Sequence, residues 1–321
     1  MNCLCCSKPI SDSASEEEIR TGWHRSCVRR FFGTRSFPEI DISEEKLLEL
    51  AKESVNQGLT VPGVQKKISL HLTAGTNPRL TLVNYPTGYI LKPQTSEYEN
   101  LPESEFLTMQ MAEAAGIKTV PYALVRMSKQ DDRLAYITRR IDRIGNKDPK
   151  MLAMEDFCQL DGKPALDKYH GSYERCAKII QKYSDRSGLD LTDLYYRLLL
   201  SFAIGNSDMH LKNLSLSEMA PRSQIYVLSP VYDFLPVNLI LPEDEDQFAL
   251  TMCGKNRRIR RIDFLRFADS IGISEKVANA LISRILSMRE TLIDLSVSSF
   301  LPKSKKQIFS ELITERMNTL Q

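Results

Sequence analysis

The chain has 321 residues, 42% of them hydrophobic and 26% charged, the balance of a globular protein with enough apolar side chains for a sizeable core. Its 43 lysines and arginines against 41 acids leave a net charge of +2, so overall charge makes no case for a nucleic-acid coat or a membrane surface. No apolar run reaches the length of a membrane span, and the start "MNCLCCSKPISDSASEEE" lacks the basic head and apolar centre of a secretory signal. A cytoplasmic protein is expected, whose seven cysteines serve as thiols or metal ligands rather than disulfides.

Residues 1–36 read as a small separate unit. Cys3 and Cys6 form a C-x2-C pair, and "GWHRSCVRRFFG" adds His24 and Cys27 as an H-x2-C pair. Together they offer four soft ligands to a tetrahedral Zn2+, which would order a segment too short for a core of its own. The alternative is a set of free surface thiols, and Cys5 is spare under either reading.

Residues 37–140 read as a β-rich half. "KKISLHLTAG", "PRLTLVNYP", "GYILKPQ", "PYALVRM" and "LAYITRRI" alternate or run apolar between Gly, Pro and Asn, as strands of an antiparallel sheet do. Between them "ESEFLTMQMAEAAGI" has apolar residues at helical spacing and a stop at Gly116. Residues 141–321 turn helical in "GSYERCAKIIQKYS", "LTDLYYRLLLSFAIG", "IDFLRFADSIG", "SEKVANALISRILSMRETLIDL" and "KKQIFSELITERMNTL", interrupted by a hairpin through "NLSLSE" and "SQIYVLSP". Strands followed by helices predict an α+β fold of two lobes rather than a doubly wound sheet.

The chemistry concentrates in "IGNSDMHLKNLSL". Asp208 and Asn213 follow the end of a helix at the D-x-x-x-x-N spacing in which a loop aspartate accepts the proton of an attacking hydroxyl and an asparagine oxygen ligates Mg2+. A second magnesium ligand should be an acid, because hard cations take oxygen and bridged phosphates need neutralising; Asp233 in "PVYDF" fits. Lys92 in "YILKPQ" sits in an apolar strand, where its charge needs a partner or a phosphate, and Gly63 in "VPGVQKK" offers a turn that could cover a nucleotide. Singly, each has an ordinary reading: Lys92 as an edge-strand gatekeeper, Asp233 as a turn cap, Asp208 as an Asx turn, Gly63 as a hairpin turn. Their order along the chain favours phosphoryl transfer.

The segments "VPGVQKK", "YILKPQ", "PESEFLTMQMAEAAGI", "RRIDR", "MEDFCQL", "GNSDMHLKN" and "PVYDF" resemble the HipA/HipT family of bacterial toxin kinases over about residues 60–240. The resemblance implies a two-lobed protein-kinase-like fold and ATP- and Mg2+-dependent phosphorylation of serine or threonine on a target protein, aminoacyl-tRNA synthetases being known targets in the family. By position, Asp208 resembles the catalytic aspartate, Asn213 and Asp233 the magnesium ligands, and Lys92 the ATP lysine, with Glu105 its ion-pair partner. His210, Lys212, Asn213 and Tyr232 with Asp233 would line the phosphates. Pro62, Gly63, Val64, Gln65, Lys66 and Lys67 would form the glycine-rich loop, and Arg139, Arg140 and Ile141 the hinge beneath adenine.

Two departures shape the expectations. Where the family carries a serine ahead of the glycine-rich loop, sometimes two as S-x-S, this chain has Thr60 and Pro62, which makes Thr60 the candidate for autophosphorylation. Where full-length members carry an extra N-terminal subdomain, this chain has the short cysteine-rich unit; similar short members belong to three-gene systems in which a small separate protein resembles the missing subdomain. The implied partners are a small HipS-like protein and a helix-turn-helix HipB-like antitoxin, with DNA contacted only through the partner and no membrane. Three other readings compete: a small-molecule phosphotransferase with the same Asp, Asn and Asp logic; a catalytically silent scaffold or DNA-bound corepressor, using Lys255, Arg257, Arg258, Arg260 and Arg261; and, leaving Lys92 and Asn213 without a role, a metal-dependent hydrolase.

Overall fold

The structure, a computed structural model, describes residues 1–40, 67–73, 77–81, 88–127, 133–145 and 150–321. These fall into two compact units, Met1–Phe106 with Val120–Lys150, and Leu107–Thr119 with Met151–Gln321.

The first unit is built on a six-stranded sheet of β1 (Glu39–Ile40), β2 (Ile68–Leu72), β3 (Arg79–Thr81), β4 (Tyr89–Pro93), β5 (Tyr122–Arg126) and β6 (Leu134–Arg139), in the order β1-β3-β2-β4-β6-β5. All neighbours are antiparallel except β1 and β3. Successive strand residues face opposite sides, so in β4 Tyr89 and Leu91 share one face while Ile90 and Lys92 share the other. The register sets Lys92 opposite Tyr136 of β6, whose ring centroid lies 5.3 Å from the ammonium.

Strand β5 is the edge of this sheet yet is buried at four successive positions. The N-terminal segment accounts for it: Leu124 N–H donates to the Leu4 carbonyl at 2.8 Å, and Trp23 Nε1–H donates to the Leu124 carbonyl at 3.0 Å. The cysteine-rich stretch therefore covers an edge that would otherwise present unpaired backbone. It also contains two helices not expected from its ligand pairs, Glu16–Thr21, opened by a Ser15–Glu18 capping box, and Arg25–Phe32, closed by Gly33 at φ 73°. Phe31 and Phe32 pack their rings edge-on or tilted against Trp23 and Tyr89.

In the second unit the helices Tyr173–Tyr183, Ser187–Ala203, Arg261–Ser270, Glu275–Ser287, Arg289–Ser298 and Lys303–Thr319 accompany a three-stranded antiparallel sheet of Met154–Asp156, Ser215–Glu218 and Tyr226–Leu228. The core gathers on Ser187–Ala203, where Tyr195 and Phe202 meet Phe248, Phe264 and Phe267. The single helix expected through "SEKVANALISRILSMRETLIDL" is two. Met288 ends the first by donating its N–H to Ile285 O, a tightened turn that no Gly or Pro announces. Among the described residues, no helix is long and apolar enough to cross a membrane.

Candidate active site

The helix Ser187–Ala203 ends in a Schellman motif that launches the polar loop. Gly205 N–H donates to Phe202 O at 3.3 Å and Asn206 N–H reaches back to Ser201 O at 2.8 Å. Gly205 has φ +65°, and a Cβ there would lie 2.8 Å from Leu312 Cδ2, so the residue has two reasons to be glycine. From this end Asn206 Oδ1 accepts the Asp208 N–H at 3.2 Å, an Asx turn whose side chain is that of Asn206 and not, as the single-residue reading had it, of Asp208. The turn does more than close a helix, because it fixes the backbone from which the Asp208 carboxylate projects.

The loop then folds around the Asp208 carbonyl, which accepts His210 N–H at 2.8 Å and Asn213 Nδ2–H at 2.7 Å. Since the Asn213 amide nitrogen is committed to that carbonyl, its Oδ1 is turned the other way as an oxygen donor. Leu211–Asn213 form one 3-10 turn before the strand Ser215–Glu218 leaves. His210 and Asn213 are buried, whereas the Asp208 side chain keeps 39% of its surface exposed. An acceptor on a rigid backbone with an open carboxylate is the arrangement general-base chemistry requires.

Tyr169 was not anticipated: its OH donates to Asp208 Oδ1 at 2.8 Å. Burial raises its phenol's pKa, and the charge of Asp208 and their hydrogen bond push it further the same way, so this hydroxyl stays a donor. Its ring also meets His210 edge to face at 5.0 Å. The only sequence signal was an aromatic in the irregular stretch "DKYHGS", which has no periodicity to mark it. Lys212, expected at the phosphates, extends to Asp156 Oδ2 at 2.6 Å.

Asp233 follows a backbone clamped on both sides. Val231 N–H donates to Lys118 O at 2.8 Å, and Tyr232 OH donates to Ser215 Oγ at 2.9 Å. After it, the Phe234 carbonyl accepts the Thr108 hydroxyl at 2.5 Å. Between these anchors Asp233 takes φ 59°, a left-handed conformation costly for a residue with a Cβ and typical of residues whose aim matters more than their comfort. The oxygens of Asn213 and Asp233 fit a hard divalent cation by donor type.

In the first unit, Lys92 Nζ and Glu105 Oε1 form an ion pair at 2.5 Å, with only 4% and 2% of the two side chains exposed. Lys92 is therefore a buried, partnered charge on the inner part of the sheet rather than an edge gatekeeper. Arg139 ends β6, and its N–H and that of Arg140 already serve Pro121 O and Gly88 O. Arg140 then grips Asp142 through Nε at 2.9 Å and Nη2 at 2.8 Å, with Ile141 in the turn between. Lys67 lies exposed just before β2, while Thr60 and Pro62, Gly63, Val64, Gln65 and Lys66 lie outside the described residues. Cys3, Cys6, His24 and Cys27 converge, their ligand atoms all within 4.8 Å of one another.

Three members of the basic run are engaged within the protein. Arg257 pairs with Glu245 at 2.9 Å and with Asp246, Lys255 with Asp263 at 2.7 Å, and Arg261 bonds Asn279 at 2.7 Å and the C-terminal carbonyls.

Against known proteins, residues 59–292 match the family described as the HipA-like C-terminal domain. A Haemophilus influenzae protein named "Putative kinase" is 28% identical over 94% of this chain and 92% of its own length. A Sinorhizobium fredii protein, "Putative kinase Y4dM", is 28% identical over 73% of this chain and 58% of its own length. Among solved structures, HipA in the Shewanella oneidensis complex of HipA, HipB and operator DNA superposes with a TM-score of 0.67 at 19% identity, over 81% of this chain and 64% of its own. The Helicobacter pylori proinflammatory kinase CtkA gives 0.52 at 15% identity, over 78% and 90%. The chain thus spans little more than half of the Sinorhizobium relative and under two thirds of the Shewanella HipA chain. The chain belongs to the HipA-like C-terminal domain family and has the α+β, kinase-like fold of its solved neighbours.

Proposed function

We propose that the protein is an ATP- and Mg2+-dependent kinase that phosphorylates serine or threonine hydroxyls of a target protein, as the toxin of a toxin-antitoxin pair. The observation that carries the reading is the loop of Asn206–Asn213, in which an Asx turn and the Asn213 amide hold the Asp208 backbone while its carboxylate stays open. In this reading Asp208 accepts the proton of the attacking hydroxyl as the oxygen takes the γ-phosphoryl group and ADP departs. The metal that Asn213 and Asp233 would hold supplies charge neutralisation at the phosphates.

Lys92, oriented by Glu105, serves the non-transferred phosphates, with the Pro62–Lys67 loop, His210, Lys212 and Tyr232 completing the nucleotide set and Arg139–Ile141 the hinge. The Lys212–Asp156 bond gives Lys212 a positioning part, tying the loop to the strand Met154–Asp156. Thr60 is the site of self-modification. A HipB-like helix-turn-helix antitoxin and a small HipS-like protein are the partners, by analogy with the HipA–HipB–DNA assembly of the structural neighbour, and a translation component such as an aminoacyl-tRNA synthetase is the target.

The test is to incubate the purified protein, alone and with a clarified bacterial lysate, with γ-labelled ATP and Mg2+, and to map where label settles. Label on serine or threonine in protein, including Thr60, supports the reading. Label confined to small molecules points to a small-molecule phosphotransferase, and ATP binding without any transfer points to a scaffold.

A further inference from the structure

The geometry points to a structural Zn2+ held by Cys3, Cys6, His24 and Cys27, which fastens the N-terminal segment along strand β5 of the sheet that carries Lys92. The four ligand atoms lie within 4.8 Å of one another, and tetrahedral zinc with Zn–S of about 2.3 Å sets sulfur–sulfur edges of about 3.8 Å.

The surroundings are built for a metal rather than for loose thiols. His24 Nε2 lies 3.2 Å from the Pro9 carbonyl, which can only accept, so the proton resides on Nε2. Nδ1 then carries the lone pair, and it faces the thiols, 3.4 Å from Cys6 Sγ. A ligating histidine whose other nitrogen is tied to a carbonyl is the usual outer shell of a zinc site. Cys3 Sγ accepts the His24 N–H at 3.5 Å, which ties the first ligand of the cysteine pair to the backbone of the third. The first pair sits in a tight turn in which Ser7, at φ 57°, donates its N–H to Cys3 O at 2.8 Å.

Charge closes as well. Three thiolates, each losing its proton to solvent as the Zn–S bond forms, leave the site with one net negative charge. The Arg30 guanidinium stands 3.8 Å from Cys5 Sγ and 3.9 Å from Cys27 Sγ, where it offsets that charge. With four protein ligands the shell is complete, which makes the site structural rather than catalytic.

What the metal would hold is visible in the same unit. Leu4, between the first two ligands, donates to Gly22 O at 2.8 Å and accepts from Leu124 of β5 at 2.8 Å. Trp23, next to the third ligand, donates to Leu124 O at 3.0 Å and packs on Phe31 and Phe32, which pack on Tyr89 of β4, three residues before Lys92. Helices of six and eight residues have little stability of their own, so the ion supplies what the segment's size withholds.

The test uses the full chain purified without chelator, and reads metal content by mass spectrometry together with the visible spectrum of the cobalt-substituted protein. The expected result is one zinc per chain, a tetrahedral thiolate–cobalt spectrum, loss of both in Cys6→Ser and Cys27→Ser, and no change in Cys253→Ser, whose cysteine is exposed. His24→Cys keeps the metal with a shifted cobalt spectrum, which guards against variants that merely fail to fold. Zinc removal should speed amide exchange at Leu124 by at least about tenfold while leaving the second unit's helices unchanged. Substoichiometric zinc with featureless cobalt spectra, full metal in Cys27→Ser, or a disulfide among these cysteines in the isolated protein would each overturn the assignment. None of these readouts depends on kinase activity.

Discussion

Removing one partner of the Lys92–Glu105 pair exposes how the first unit tolerates a buried charge. Both side chains are almost wholly inaccessible, and the ammonium also lies 5.3 Å from the Tyr136 ring centroid. Lys92→Met leaves a carboxylate in an apolar interior, and Glu105→Leu leaves an ammonium there. Each should cost about 3–5 kcal/mol, because the remaining buried charge loses this attraction and keeps its desolvation. The double variant carries no buried charge, and replacing a buried pair by apolar side chains of similar size is often neutral, so it should recover to within about 1 kcal/mol of the parent. Urea unfolding of the four proteins measures the cycle, and ATP binding on the same samples separates fold from function: the double variant should be stable and unable to use ATP normally. Single variants costing less than about 1 kcal/mol, or a double variant as unstable as the sum of both, would refute the reasoning.

Other perturbations bear on the second unit. Asp233→Gly should raise stability by about 1 kcal/mol by relieving the left-handed backbone at φ 59°, while abolishing phosphoryl transfer; thermal melts and label transfer would reveal both, and a lower melting temperature would speak against strain at that residue. Gly205→Ala should destabilise by about 1–2 kcal/mol in chemical denaturation, since φ is +65°. Burial alone would raise the Asp161 pKa, but Lys163 and Arg175 outweigh it and hold the carboxyl below its ordinary value. Its contribution to stability is therefore full above the unfolded carboxylate pKa of about 4 and is lost as pH falls through the lower folded value. Asp161→Asn should flatten the acid limb of the stability curve there; an unchanged acid limb would show that this ion pair contributes nothing.

The parts of the fold that follow periodicity were legible. β2 to β6 coincide with the five alternating runs, and the helix Leu101–Ala114 with the spacing of Phe106, Met109 and Met111. What escaped was short or context-dependent. The strand Met154–Asp156 has three residues and exists because Ser215–Ser217 pairs with it. The break at Met288 lies inside an unbroken amphipathic pattern, and the two N-terminal helices are too brief for periodicity to declare. At the candidate site, the Asp208–Asn213 spacing was readable because both residues lie in one loop, as were the four metal-ligand candidates from their paired spacing. Tyr169 was not, because its hydrogen bond to Asp208 spans 39 residues and depends on how a loop is laid, which no local pattern encodes. The Lys212–Asp156 contact was unreadable for the same reason: Asp156 is 56 residues away in sequence.

The most direct measurement is transfer of the labelled γ-phosphate by the parent protein and by Asp208→Asn at saturating Mg2+ and ATP, with nucleotide binding measured on the same samples. The carboxylate is exposed and its backbone is held by Asn206 and Asn213, so the amide should leave folding and ATP binding intact. Loss of the general base should lower transfer by about 10²–10⁴-fold. Equal transfer by the two proteins would contradict the role given to Asp208, and absence of both binding and transfer in the parent would contradict the kinase reading itself.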